Sequence, residues 1–187
     1  MHNPIKIIIS ISCMMIITLS TCKIVKTDTI GITPENLRIR SGEISGWSEN
    51  QAGYSAANSI AQIAESPGGL DGEAYYYNNG TGYTGGIIEE LTNTDGTTAR
   101  LFIMDFGSTA VASSAYDGAI TSYAVTNKST LPNYPENQAI ISISSSGALA
   151  FYHKDRFLFR LMLTSPPSDN QSITYTEMFF FVLAAKF

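Results

Sequence analysis

The stretch "NTDGTTARLFIMDFGSTAVASSAYDG" (93–118) contains the signals for a turn, a strand and a helix in succession. Asp95-Gly96 is a strong hairpin signal, and it lies between two runs rich in apolar residues, 87–91 and 99–106. The second run is mostly apolar on both of its faces, because large apolar side chains occupy successive positions and strand side chains alternate. It therefore predicts a central strand of an antiparallel sheet.

The helix that follows this strand is predicted to begin at Gly107-Ser108, with Ser108 as its N-cap. Its apolar residues recur with helical spacing and form one stripe. Since small residues dominate the stripe, the helix can lie close against a sheet. The stripe consists of Ala112, Ala115, Tyr116, Ala119, Ile120 and Tyr123.

The remaining elements follow from periodicity and from turn residues. Helical spacing over 54–65 ends at Pro67-Gly68-Gly69, and a short strand is predicted at 74–77. Three strands in a meander are predicted at 139–144, 148–153 and 157–163. Thr174 and Glu177 fit the capping box of a last helix that ends near Ala185, with a strand over 173–181 as the alternative. This order predicts an α+β two-layer sandwich, a mostly antiparallel sheet with helices packed on one face.

The amino terminus carries a targeting signal. A weakly basic start with Lys6 and an apolar run of about a dozen residues have signal-peptide size, and the run is too short to span a membrane. Leu19-Ser20-Thr21-Cys22 resembles the lipobox of bacterial lipoproteins, which implies cleavage before Cys22 and acylation of its thiol. The alternatives are plain secretion and a cysteine without a special role. Lys23 stands where aspartate retains some lipoproteins in the inner membrane, which favours the outer membrane of a bacterial cell envelope.

Three segments are expected from this reading. Residues 1–21 form the lipoprotein signal peptide, residues 22–45 form a polar tether, and residues 46–187 form a single α+β domain that starts near Trp47. The membrane is then contacted through the N-terminal lipid.

Charge and cysteine content exclude several classes of function. Residues 1–21 contain Lys6 and no acidic residue, so residues 22–187 contain ten basic and sixteen acidic side chains. This acidic balance argues against nucleic-acid binding. Cys13 leaves with the signal and Cys22 would be acylated, so neither a disulfide nor a thiolate zinc site is expected. His153 is the one histidine that remains, and we expect no metal and no cofactor.

Two stretches carry a family resemblance: "LDGEAYYYNNG" (70–80), with a turn and a strand, and "LFIMDFGSTAVASSAYDG" (101–118), with a strand, an Asp-Phe-Gly-Ser turn and an alanine-rich helix. Together they resemble an uncharacterised family of bacterial secreted proteins and lipoproteins. Gly46-Trp47 and "GALAFYHKDRFLFRL" (147–161) match that family more loosely. The resemblance implies a domain of unknown function and supports the predicted architecture.

One cluster has the composition of a ligand-binding lip, in which carboxylates and amides orient a polar ligand while tyrosines stack on it. The other interpretation is structural, a Gly/Asn turn beside an edge strand whose alternate tyrosines pack on the core. The cluster consists of Asp71, Glu73, Tyr75, Tyr76, Tyr77, Asn78 and Asn79.

Catalysis has weaker support in the sequence. Asp71 with Glu73, or Glu89 with Glu90, are candidate carboxylate pairs for a hydrolase, but adjacency assigns neither pair. A serine triad would have to use His153, and no G-x-S-x-G elbow occurs. The favoured hypothesis is a non-enzymatic envelope lipoprotein that binds a partner protein or a small polar ligand. A pocket with converging carboxylates of raised pKa would favour the hydrolase, and a shallow tyrosine-lined face would favour binding.

Overall fold

A computed structural model describes residues 31–66, 82–122 and 128–187 of the chain. A 3-10 helix, Pro34–Leu37, comes first. The strands are β1 (Trp47–Ala57), β2 (Gly85–Asn93), β3 (Thr98–Asp105), β4 (Lys128–Thr130), β5 (Ala139–Ser144), β6 (Gly147–Lys154) and β7 (Phe157–Thr164). The helices are α1 (Ile60–Glu65), α2 (Thr109–Ser122) and α3 (Asp169–Ala184).

The seven strands form one antiparallel sheet in the order β1-β2-β3-β7-β6-β5-β4. The predicted hairpin at Asp95-Gly96 joins β2 to β3 in an unbroken register from Gly85↔Asp105 to Thr92↔Thr98. β3 lies third in the sheet, between β2 and β7, so its prediction as a central strand is confirmed. The predicted meander is confirmed as β5, β6 and β7.

The α+β class with an antiparallel sheet is confirmed, and the helices divide between the two faces of that sheet. One core contains Leu101 and Ile103 of β3 and the buried side of α3. The other core contains Phe102 and Met104, which point the opposite way, together with buried residues of α1 and α2. The prediction that all helices pack on one face is corrected, because a central strand that is apolar on both faces needs cover on both.

The segment predicted as a tether is folded over the part that the structure describes. Leu37, Ile39 and Ile44 are buried in the core on the α3 side, and Ile32 packs against that core. The described part of this segment has few apolar residues, but these four all contribute to the core. The charged residues between them form ion pairs. Residues 32–187 supply the described members of both cores, so we expect residues 31–187 to fold without the amino-terminal segment.

Two element boundaries differ from the prediction. Residues 54–57 belong to β1, which pairs with β2 across the sheet, and the helix begins only at Ile60. Its capping box is Ser59 with Gln62. The last helix begins at Asp169 with Ser168 as N-cap, so Thr174 lies inside the helix and its hydroxyl donates to the carbonyl of Asn170.

Candidate functional site

The residues predicted to bind or to carry lipid lie outside the described ranges. This holds for Cys22 and for the whole predicted lip, Asp71 to Asn79. Both remain predictions. The candidate site was therefore found from the structure.

A groove of about 560 Å³ lies between the outer side of α3 and the loop that precedes β5. Its volume falls within the range of about 300–1,000 Å³ that is typical of ligand pockets. Its lining surface is mostly apolar, with polar groups from Asn133, Thr174 and Glu177. It is lined by Asn133, Tyr134, Thr174, Glu177, Met178 and Phe181.

Helix α3 contributes four of these residues from a side that differs from the one it buries. Ser168 caps its first turn by accepting a hydrogen bond from the Gln171 N–H at 3.2 Å. Six inward side chains are then buried: Ser172, Tyr175, Thr176, Phe179, Phe180 and Leu183. The groove residues of α3 follow the i, i+3, i+4, i+7 spacing of a second stripe on the outer side. In that stripe Phe181 is 72% exposed, and it is the exposed large hydrophobic residue among those described.

The opposite wall of the groove is held by aromatic packing and by two hydrogen bonds. Tyr134 stands edge-on to Tyr152 at 5.5 Å and to Phe180 at 6.0 Å between ring centroids. The backbone N–H and the side-chain amide of Asn133 donate to Oε1 of Glu177 at 3.2 and 3.0 Å. Burial, with a smaller contribution from the Glu177 charge, raises the pKa of Tyr134, so its hydroxyl is neutral at physiological pH. Among the described residues that line the groove, Glu177 is thus the one acidic side chain, and it is joined to Asn133.

The candidate carboxylate pair of β2 is separated by the sheet. Glu89 points to the α3 side and is 2% exposed, whereas Glu90 points to the other side, where it pairs with Arg100 and accepts from Asn50 at 2.6 Å. Adjacent residues of a strand face opposite ways, so the two carboxylates cannot act on one substrate. The interpretation of Glu89 and Glu90 as a catalytic pair is wrong.

Glu89 instead belongs to a set of mutually bonded side chains around Arg38 that we call the Arg38 cluster: Glu35, Arg38, Arg40, Glu49, Tyr54 and Glu89. Glu89 accepts hydrogen bonds from the Ile39 N–H at 2.9 Å and from Nε of Arg38 at 3.3 Å. Burial outweighs both bonds and raises the pKa of Glu89 to about 7. Glu89 is not among the residues that line the groove on α3.

The other groups of the Arg38 cluster satisfy one another. Arg38 pairs with Glu35 at 2.9 Å and with Glu49 at 3.0 Å, and its guanidinium lies 4.1 Å from the centroid of the Tyr54 ring. The Tyr54 hydroxyl donates to Oε2 of Glu35 at 2.9 Å. Burial raises the pKa of Glu35, but hydrogen bonds from Arg38, Tyr54 and Arg40 more than offset it, so that pKa lies below its usual value. The cluster fastens residues 35–40 to the sheet.

His153 is also engaged within the fold. Its Nε2 lies 2.7 Å from the carbonyl oxygen of Asn137, and its ring centroid lies 4.9 Å from that of Tyr116. Within residues 31–66, 82–122 and 128–187, no group of three or more histidine, cysteine or acidic residues is placed to hold a metal ion. No helix in those ranges has the length and hydropathy required to cross a membrane.

One feature of the sequence does indicate an apolar surface on the outer side of α3. The run 178–183 is apolar without interruption, so a helix through it must leave part of that surface on its outer side. Asn133 and Tyr134 carried no such signal, since their approach to α3 depends on a contact across 44 residues of chain.

Comparisons with known proteins define the class of fold. No family model matches the chain, and no curated protein matches it. Among solved structures, it is similar to the extracellular domain of PknH from Mycobacterium tuberculosis, with a TM-score of 0.54 and 11% sequence identity. The match covers 83% of this chain and 96% of that one. At this identity the similarity concerns the fold alone.

Proposed function

We propose that this chain is a lipid-anchored protein of the bacterial cell envelope whose domain binds a partner without catalysing a reaction. The observation that carries the proposal is the groove on α3, where Phe181 is 72% exposed on an otherwise well-packed domain. Isolated exposed apolar residues are common on protein surfaces, but here Phe181 lines a concave, largely apolar site beside Met178 and Tyr134.

The alternative of a carboxylate-dependent hydrolase receives no comparable support from the described residues. Glu89 has the raised pKa that a general acid would need, but it is covered by Arg38 and by the backbone of Ile39. A catalytic acid must reach its substrate within hydrogen-bond distance, and Glu89 is 2% exposed. Its environment fits a structural role.

Photo-cross-linking in cells tests whether the groove binds. A photoreactive phenylalanine analogue in place of Phe181 should give defined adducts, detected on gels and by mass spectrometry. The same analogue in place of Thr121, which is exposed on α2, serves as the matched control. Adducts from both positions in equal yield, or from neither, would contradict the proposed site.

The anchor is supported by the lipobox-like Leu19-Ser20-Thr21-Cys22, and it has its own test. Cys22→Ala should move the protein from the membrane fraction to the soluble fraction or leave it with its signal uncleaved. A single acyl chain binds membranes weakly, so stable retention depends on the full acylation of this residue. A fully processed variant that stays in the membrane fraction would refute lipid anchoring.

The predicted lip remains a second proposed contact. Single replacements Tyr75→Ala, Tyr76→Ala and Tyr77→Ala should separate core tyrosines from ligand-facing ones, because neighbouring strand residues point opposite ways. We expect at least one variant to keep its unfolding midpoint and lose binding. Equal destabilisation by all three, with binding unaffected, would reduce this cluster to a structural role.

A further inference from the structure

The groove combines an apolar surface with one carboxylate, that of Glu177, which can accept further hydrogen bonds. Both hydrogen bonds from Asn133 reach Oε1 of Glu177, and no other described residue bonds to this carboxylate. Oε2 is therefore available to a donor that enters the groove. An ionised carboxylate accepts hydrogen bonds at both of its oxygens, and it bonds most strongly to a cationic donor.

The described residues do not supply that cation. The described lysines and arginines that form ion pairs do so with other acids, for example Arg156 with Asp105 and Lys186 with Glu43. Among the side chains that the structure describes, none forms an ion pair with Glu177. The chain as a whole carries a net charge of −5. The carboxylate of Glu177 and the negative net charge of the chain therefore both favour a basic occupant.

The spacing within the groove limits what the occupant can be. Glu177 and Phe181 are four residues apart on α3, which places them about 6 Å apart along the helix axis. Side chains at i and i+4 of a helix, or at i and i+2 of a strand, have a similar separation. A peptide segment can therefore meet both groups at once with two of its own side chains.

We propose that the groove binds a segment of a partner protein that presents two side chains at this spacing, one of them large and apolar and the other a lysine or arginine. The apolar side chain packs on Phe181, Met178 and Tyr134, and the cation bonds to Oε2 of Glu177. This inference rests on the proposed binding function and specifies its partner. A second copy of this chain fits less well, because a two-fold interface places the same patch, with Glu177, on both sides.

The test uses residues 31–187 and three fluorescein-labelled, helix-forming peptides of a dozen residues. Each peptide has one phenylalanine, and the position four residues later is lysine, glutamine or glutamate. Fluorescence anisotropy at low salt should give a dissociation constant for the lysine peptide about threefold below that of the glutamine peptide and about fivefold below that of the glutamate peptide.

Two variants assign this preference to Glu177. Glu177→Gln keeps an acceptor for Asn133 and should abolish the preference for lysine. Asp169→Asn removes the same charge from the exposed first turn of α3, about 12 Å along the helix, and should leave the preference intact. The inference fails if Glu177→Gln retains the preference or Asp169→Asn abolishes it.

Phe181→Ser separates the inference from the function on which it rests. It should weaken all three peptides by about tenfold, because a buried aromatic contact is lost. If it does so while the three peptides bind equally, the groove is a binding site and only the basic partner is wrong. If it weakens none of them, the groove is not the site of binding and both proposals fail.

The remaining occupants are outcomes of the same experiment. A peptide of residues 23–30, "KIVKTDTI", that displaces the lysine peptide and binds more tightly would make the chain's own segment the occupant. Concentration-dependent dimers in sedimentation, abolished by Phe181→Ser, would make it a second copy. Either result overturns the assignment to a partner protein.

Discussion

The Arg38 cluster and the groove on α3 both place a carboxylate beside aromatic rings, but they differ in what they leave available. In the Arg38 cluster, Arg38 and Glu89 are almost fully buried, and Arg38 pairs with three carboxylates. In the groove, one oxygen of Glu177 has no bond from a described residue, and Phe181 is 72% exposed. Groups that satisfy one another hold the fold together, whereas groups with remaining capacity can bind something else.

Within the Arg38 cluster, the largest effect on stability is expected from Arg38→Met. The replacement keeps the aliphatic part of the side chain but leaves Glu89 buried without its cation, so we expect a loss of about 3 kcal/mol of unfolding free energy at pH 8. Urea unfolding of residues 31–187, followed by emission of the buried Trp47, measures it. Arg40→Met is the control, because Arg40 pairs with the same Glu35 and Glu49 from a half-exposed position and should cost less than about 1 kcal/mol. Equal losses of unfolding free energy in the two variants would contradict the expectation that the buried ion pairs stabilise the fold more than the exposed ones.

The pH dependence of stability tests the burial of Glu89 itself. Its pKa is about 7 in the folded chain, against 4.5 for an ordinary glutamate, so the folded state holds the proton more tightly. The associated stability is present in full below about pH 4.5 and is lost as the pH rises through 7. Glu89→Gln resembles the protonated form of Glu89, so its unfolding free energy does not undergo this decrease as the pH rises.

Relative to the natural chain, Glu89→Gln should therefore gain about 2 kcal/mol in unfolding free energy between pH 5 and pH 8. Comparing the two proteins cancels the titration of every other group. Urea titrations at several pH values give the difference directly. A gain by the natural chain instead would mean that the charge of Arg38 outweighs burial.

A smaller effect is expected from Tyr54→Phe. This change removes the hydrogen bond from the Tyr54 hydroxyl to Glu35 but leaves the ring under Arg38, so we expect a loss of about 1 kcal/mol. Tyr54→Leu also removes the ring and should cost more than Tyr54→Phe by thermal or urea unfolding. If the two variants are equally stable, the contact between the guanidinium and the ring contributes nothing.

The smallest effect is expected in the groove. Phe181→Ala should change the unfolding free energy by no more than about 0.5 kcal/mol, as expected for an exposed side chain. Phe179→Ala, two residues earlier on the same helix and fully buried, should cost about 3–5 kcal/mol. Unfolding midpoints of the two variants compare the outer and inner sides of α3. A cost of more than about 1 kcal/mol for Phe181→Ala would make it part of the fold.

The sequence predicted the elements whose signals are local. The turn at Asp95-Gly96 and the Ser108 cap, whose hydroxyl accepts from the Val111 N–H at 3.3 Å, are both present. The helix predicted over 54–65 is present only from Ile60, because residues 54–57 belong to β1, which pairs with β2 further along the chain. The groove was not predicted, because neither Asn133 nor Glu177 shows in the local sequence that it will meet the other.

The amino-acid sequence by itself determined the antiparallel α+β class, since alternation, turn residues and caps act between near neighbours. Only the tertiary structure decided that helices cover both faces, that residues 32–44 join the core, and that Glu89 and Glu90 are divided by the sheet. The physical reason is the same in each case. Burial and ion pairing join residues such as Arg38 and Glu89, which lie 51 positions apart, and no local pattern records which distant partner a side chain will find.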